Sequence, residues 1–139
     1  MSTPDPALVD TDVASVLYRA RLFQRVVPAG LGNVVADRPL VISVVTLGEA
    51  SYGALSRKWS PRRTTEMLAF YTDDFGLIEL GRTVAAEYGR LRAATEALGR
   101  PVPSNDLWIA ASATANGLPL VTLNRRHFEP LTLHGLRLL

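Results

Sequence analysis

The 139-residue chain has no cysteine, a single lysine (Lys58) and only two histidines, His127 and His134. The missing cysteine excludes disulfides, zinc–thiolate centres and thiol nucleophiles. Both histidines lie far along the chain, which leaves a histidine-built zinc site without support. Excess charge of one sign is scarce as well. The 15 Lys+Arg against 13 Asp+Glu leave a formal net charge of +2, too weak a field to mark a polyanion binder. How the charges cluster decides that question.

A long apolar run is missing too. The longest uncharged stretch, Leu107 to Asn124, is interrupted by Asn116, Gly117 and Pro119. It reads as a helix stop followed by a buried strand, not as a membrane span. Met1 to Pro6 holds two prolines and no basic residue, unlike a signal peptide. The expectation is a soluble, cytoplasmic protein. What is present suits a globular fold: 47% hydrophobic and 20% charged residues argue against disorder. The length fits one domain over residues 1–139, burying about 68–70% of its unfolded surface.

Periodicity divides the chain into alternating strands and helices. Ala7-Leu8-Val9 reads as a strand, Asp10-Thr11-Asp12 as a turn, and Val13, Val16, Leu17 and Ala20 as one face of a helix. Pro28 to Asn33 breaks the helical pattern, and Gly30-x-Gly32 within it follows no strand and lacks the third glycine of a dinucleotide fingerprint. Leu40 to Val44 is a β-branched buried strand, followed by a helix from Thr46 to about Lys58 and another opened by Ser60-Pro61. Phe75 to Leu80 predicts a third strand. Val84, Tyr88, Leu91, Thr95 and Leu98 mark the core face of a long helix stopped at Gly99 and Pro101. A helix over Ser104–Asn116, a strand over Leu118–Leu123 and a fifth strand within Leu131–Leu139 complete the pattern. Such alternation predicts an α/β fold, a parallel sheet of about five strands between two helical layers.

Three acids fall where such folds place their sites, at the carboxyl ends of strands. Asp10 follows the first strand, Glu49 opens the helix after the second, and Asp106 opens the late helix. Each also has a structural reading. Asp10 or Asp12 suits an N-cap, Thr46-Leu47-Gly48-Glu49 matches a capping box, and Asp106 favours a helix dipole. Their convergence on one rim favours a cation, because neighbouring carboxylates raise each other's pKa and Mg²⁺ or Mn²⁺ relieves the repulsion.

Leu8-Val9-Asp10-Thr11-Asp12-Val13-Ala14-Ser15 resembles the opening motif of PIN-domain ribonucleases, in particular VapC-type toxins of toxin–antitoxin pairs. Thr46-Leu47-Gly48-Glu49-Ala50-Ser51-Tyr52-Gly53 resembles their second motif and Asn105-Asp106-Leu107-Trp108-Ile109-Ala110-Ala111 their third. Leu120-Val121-Thr122-Leu123-Asn124-Arg125-Arg126-His127-Phe128 resembles the closing segment. The four segments keep the family's order and spacing across most of the chain. The resemblance implies a three-layer α/β/α domain and a Mg²⁺- or Mn²⁺-dependent endoribonuclease, with metal held by Asp10 and Asp106 and Glu49 acting at the metal rim. It implies that Thr11 and Thr122 orient the carboxylates by hydrogen bonds, with Asp12 and Asn124 close by. It further implies a homodimer and a VapB-type antitoxin whose C-terminal segment lies in a groove beside the site. Leu17, Leu22, Phe23, Val26 and Trp59 are equally suited to such a groove or to the core. One departure concerns the fourth acid that many members carry at the position of Asn124 or His127. Its loss puts a second metal in doubt.

The arginines supply the complementary charge. Arg57, Lys58, Arg62 and Arg63 surround Trp59, and Arg125-Arg126 sit in the closing segment. An acidic cleft repels RNA unless cations flank it, which makes Arg125, Arg126, Arg62 and Arg63 the RNA-binding candidates. Arg90 and Arg92 are placed to pair with Glu87 and Glu96 along one helix, while Arg19, Arg21 and Arg25 read as surface charges. Gly48 and Gly53 read as sites of close helix packing. Two rival functions compete. Asp10-x-Asp12 resembles an aspartate-nucleophile phosphatase motif, but Lys58 and Asp73-Asp74 precede Thr122, the wrong order for that enzyme. A degenerate, non-cleaving domain that binds RNA or a partner is favoured by the missing fourth acid and opposed by the three retained ones.

Overall fold

The computed structural model describes residues 4–139, so the first half of the Met1–Pro6 stretch lies outside the described residues. The chain runs β1 (Ala7–Val9), α1 (Thr11–Leu22), α2 (Ala29–Val35), β2 (Leu40–Ser43), α3 (Val44–Ser56) and α4 (Pro61–Asp73). It continues with β3 (Gly76–Ile78), α5 (Arg82–Ala97), α6 (Ser104–Ala115), β4 (Leu120–Val121) and α7 (Arg125–Thr132). The strands form one parallel sheet in the order β3-β2-β1-β4. Parallel neighbours require crossovers, and helices supply them on both faces. No helix among the described residues is long and apolar enough to cross a membrane.

Strand alternation sorts the core into two layers. Leu8 and Leu120 point to one face with Leu91, Leu107, Ile109, Phe128 and Leu131 of α5, α6 and α7. Ala7, Val9, Ile42 and Val121 point to the other, against Val13 and Tyr18 of α1 and Met67 and Tyr71 of α4. A side-chain period of two forces this split, because successive residues of a strand face opposite sides. Helix α3 sits at the edge of both layers, with Val45 on the first and Leu47, Ala50 and Ala54 on the second. α6 is buried nearly all round, through Leu107, Ile109, Ala110, Ala111, Ser112 and Ala113. It therefore holds Asp106 on a rigid element.

Several sequence expectations are corrected. The stretch after Pro28 is a short helix, α2, because proline serves as N-cap residue and Leu31 buries against the core in spite of two glycines. α3 begins at Val44, where the Ser43 hydroxyl accepts from the Val45 amide. Thr46 is thus inside the helix, and the capping box with Glu49 does not form. The fifth strand shrinks to a single parallel bridge, Leu120 with Leu138, because α7 and its following turn take up the chain to Gly135. Leu98 is exposed, since the helix ends there and Gly99 turns the chain away at φ 66°. Gly48 faces open space, and a side chain at Gly53 would meet only the flexible Arg57, so neither glycine serves helix packing. Arg90–Glu87 and Arg92–Glu96 pair as the spacing along α5 predicts.

Phe128, 1% exposed, anchors α7 to the first core layer. Phe128→Ala should cost roughly 3–5 kcal/mol by leaving a cavity, whereas Leu133→Ala, at an exposed position, should change stability by less than about 0.5 kcal/mol. Urea unfolding of the two variants checks this; equal effects would contradict the layer assignment.

Candidate active site

β1 ends at the middle of the sheet, and the next residue, Asp10, keeps the ladder going: its amide donates to the Val121 carbonyl at 3.1 Å. Its carboxylate turns inward and is buried, 4% exposed. Oδ1 accepts from the Val13 amide at 2.9 Å, which makes Asp10 the N-cap of α1. Oδ2 accepts from the Thr122 hydroxyl at the end of β4. That hydroxyl in turn accepts from the Asn124 amide at 2.9 Å. The cap and the site are therefore the same residue, and Asn124 contributes through its backbone.

A second group of hydrogen bonds gathers around Glu49. The Thr11 hydroxyl donates to Glu49 Oε1 at 2.7 Å and lies 2.9 Å from the Thr46 hydroxyl. Thr11 has one proton and gives it to the carboxylate, so Thr46 must be the donor to Thr11. The order Thr46, Thr11, Glu49 fixes the acid on the rim. Thr11 orients Glu49 and has no bond to Asp10. Thr46 is fully buried, and sequence reasoning had made it a cap; only its place in a second-motif segment hinted at this role.

Asp106, half-buried in the first turn of α6, has one side-chain partner: His127 Nδ1 stands 3.2 Å from its Oδ2. The position that lacks the fourth acid thus holds an imidazole against one of the remaining acids. α6 begins after Pro103 without a side-chain cap, so Asp106 is the acidic residue of its first turn. Asp12 is exposed at the start of α1.

Burial pushes the Asp10 carboxyl from its usual 3.8 up to about 6. The bonds from Thr122 and Val13 oppose the rise, and the charges of Asp12 and Asp106 add to it. Asp10 and Asp106, far apart in sequence, therefore feel each other in the fold. Among the described residues no three of His, Cys, Asp and Glu come together closely enough to hold a metal ion, so Asp10, Glu49 and Asp106 do not converge into the single three-carboxylate cluster the sequence suggests. The donor chemistry nevertheless fits a hard divalent cation. Each Asp10 oxygen keeps a lone pair beyond its one hydrogen bond. Mg²⁺ commonly takes one or two carboxylates and completes its shell with water and substrate phosphate. A cation at Asp10 and Asp106 would also remove the cost of the buried like charges.

Beside this rim, α1, α3 and α4 enclose a groove of about 440 Å³. Thr11, Asp12 and Glu49 line its acidic end, and Leu22, Phe23 and Trp59 its apolar part. Leu17 packs into the core instead, and Val26 stands 94% exposed outside the groove. Arg63 lies over the Trp59 ring at 3.7 Å and lines the groove with Arg19 and Arg57. Arg62 pairs with Glu66 at 3.1 Å on the outer face of α4. Arg125 donates to the Leu139 carbonyl at 2.7 Å. Arg126 lines a separate pocket with His127.

Residues 7–130 match the family described as PIN domain. The chain is similar to the tRNA(fMet)-specific endonuclease VapC of Shigella flexneri, 34% identical over 90 residues that cover 65% of this chain and 67% of that one. It is similar to ribonuclease VapC1 of Haemophilus influenzae, 22% identical over 125 residues, covering 90% and 91%. A DNA-bound VapBC structure from Salmonella typhimurium superposes with a TM-score of 0.76 at 26% identity, covering 98% of both chains.

The raised Asp10 pKa has a definite sign. An acid that ionises near 3.8 unfolded and near 6 folded contributes stability that is intact at low pH and lost as pH rises through about 6, a loss of at most roughly 3 kcal/mol. Asp10→Asn cannot ionise. In metal-free buffer its stability relative to wild type should therefore increase by roughly 1–3 kcal/mol between about pH 4 and pH 7. Urea unfolding across that range reads the difference, and a pH-independent offset would count against a strained carboxylate.

Proposed function

The chain belongs to the PIN-domain family, and from that footing we propose that it is the VapC-type toxin of a toxin–antitoxin pair, an endoribonuclease hydrolysing RNA phosphodiester bonds with Mg²⁺ or Mn²⁺. The observation that carries this reading is a carboxylate, Asp10, buried at the end of the central strand and held by Val13 and Thr122, within the span that matches the PIN domain.

Asp10 and Asp106 would hold the cation, which when bound supplies Lewis-acid polarisation of the phosphate and lowers the pKa of water. The protein's part is positioning. Thr122 and the Val13 amide hold the Asp10 carboxylate in one rotamer, so the site is organised before substrate arrives. Thr11 and Thr46 hold Glu49 through Oε1, leaving Oε2 without a partner among the described residues. That oxygen would orient the attacking water and take its proton as the water oxygen bonds to phosphorus and the P–O ester bond breaks, the leaving oxygen taking a proton from solvent. His127 steadies Asp106 where other members carry an acid, which supports one metal more than two. No covalent nucleophile is required.

A VapB-type antitoxin is the partner of this reading, and a homodimer its working state. The groove supports the first: its apolar wall suits a partner's aliphatic or aromatic side chains, and its acidic end leads to the rim.

Purified protein should cut single-stranded or structured RNA only with Mg²⁺ or Mn²⁺. Asp10→Ala and Asp106→Ala should each lose at least about 100-fold in rate, an effect of order 3 kcal/mol on the barrier. Cleavage that persists in chelator, or toxicity on expression that survives Asp10→Ala, would refute the mechanism. Leu22→Glu with Phe23→Glu should weaken antitoxin binding by at least tenfold in calorimetry while RNA cleavage stays within about twofold, since partner side chains would be buried there but substrate would not. Undiminished antitoxin binding would move the partner elsewhere.

A further inference from the structure

On the α6–α7 side of the rim, Arg100, Arg126 and His127 line a pocket of about 420 Å³ that shares no residue with the groove. Its remaining walls are Val102 and the rigid Pro101, Pro103 and Pro130. No carboxylate lines it. The pocket begins one side chain away from the rim, because His127 touches Asp106 at 3.2 Å.

The other arginines show what is unusual here. Arg21, Arg62, Arg90 and Arg92 each pair with a carboxylate. Arg38, Arg125 and Arg137 donate to backbone carbonyls, and Arg25 and Arg63 lie over aromatic rings. Among the described residues five arginines, Arg19, Arg57, Arg82, Arg100 and Arg126, have no carboxylate, carbonyl or ring holding their guanidinium groups; Arg19 and Arg57 share their groove with Asp12 and Glu49, whereas Arg100 and Arg126 share a concave surface that no carboxylate lines. Two unpaired cations drawn together repel each other, and an anion between them removes that repulsion. Guanidinium forks suit the oxygens of a phosphate in particular. Arg100 carries no sequence motif. It enters the pocket because the chain turns at Gly99 after α5 and crosses back through Pro101 and Pro103 to α6.

We propose that the Arg100–Arg126–His127 pocket is a phosphate subsite that holds the RNA backbone beside the scissile bond. The proposal rests on the ribonuclease reading and adds the direction the strand takes, away from Asp106 toward the loop between α5 and α6. The groove on the other side of the rim is left to the protein partner.

The test measures binding of a fluorescein-labelled single-stranded RNA to the intact protein in chelator, over a range of salt concentrations, with cleavage measured separately in Mg²⁺. Arg100→Ala and Arg126→Ala should each weaken binding about three- to tenfold near 0.1 M salt. Each should lower the slope of log K against log salt by about 0.7, the value for one phosphate contact to a single strand. Arg100→Lys should recover most of the affinity, which a merely structural role would not predict. Arg82→Ala, removing an exposed cation at the start of α5, should leave both quantities unchanged. If wild type binds and cuts RNA while both alanine variants keep its affinity and slope, the subsite is overturned and the ribonuclease reading stands. Wild type that neither binds nor cuts RNA overturns both. Variants that bind RNA normally but lose an acidic protein partner would also overturn the subsite.

Discussion

A carboxylate buried at the end of the central strand is the constraint on which the rest of this structure depends. Asp10 continues the β1–β4 ladder with its amide, caps α1 with one oxygen and takes the Thr122 hydroxyl with the other. These bonds tie the central strand, the first helix and the end of β4 to one side chain. They do not offset its desolvation, and its pKa stays raised at about 6. A well-packed leucine would not leave that cost. Retaining a carboxylate there costs fold stability and leaves a group whose chemistry suits a hard cation. The same trade accounts for the neighbouring threonines: Thr11, Thr46 and Thr122 use their hydroxyls to aim acids that would otherwise turn toward solvent.

Charge follows the same arrangement. The net +2 describes nothing local. Ion pairs along α5, and between Arg21 of α1 and Asp74 at the C-cap of α4, neutralise part of the basic charge on the surface. Five of the remaining arginines lie in two places flanking the acids. Arg19, Arg57 and Arg63 line the groove with its aromatic wall, and Arg100 and Arg126 line the pocket beside His127. The single acidic rim is thus bordered by two surfaces of different chemistry, one amphipathic and one cationic. A protein segment suits the first, and a phosphate backbone the second.

Sequence reasoning reached the fold class and the four strand positions, because these depend on local patterns. β-branched runs, helical spacing and acids directly after strands are written within a few residues of one another. It misplaced what depends on competition between neighbouring elements. Pro28 opens a helix instead of ending one, since Leu31 gains a core contact that propensity does not reveal. The C-terminal strand reduces to one bridge because α7 uses the residues that would have extended it.

The candidate site divides the same way. The sequence itself placed Asp10 at a strand end and Asp106 in a helix first turn, through periodicity and motif order, but Glu49, expected to open its helix, lies in the second turn of α3 because that helix already starts at Val44. Which hydroxyl serves which acid was decided only in three dimensions: Thr11 turns to Glu49, buried Thr46 backs it, and Asn124 acts through its amide. Tertiary structure likewise brought His127 to Asp106 and separated Arg126 from its neighbour Arg125. The physical reason is range. Strand and helix patterns are set by contacts a few residues apart, whereas side-chain partners across the rim depend on strand order and rotamer, which exist only once the sheet has assembled.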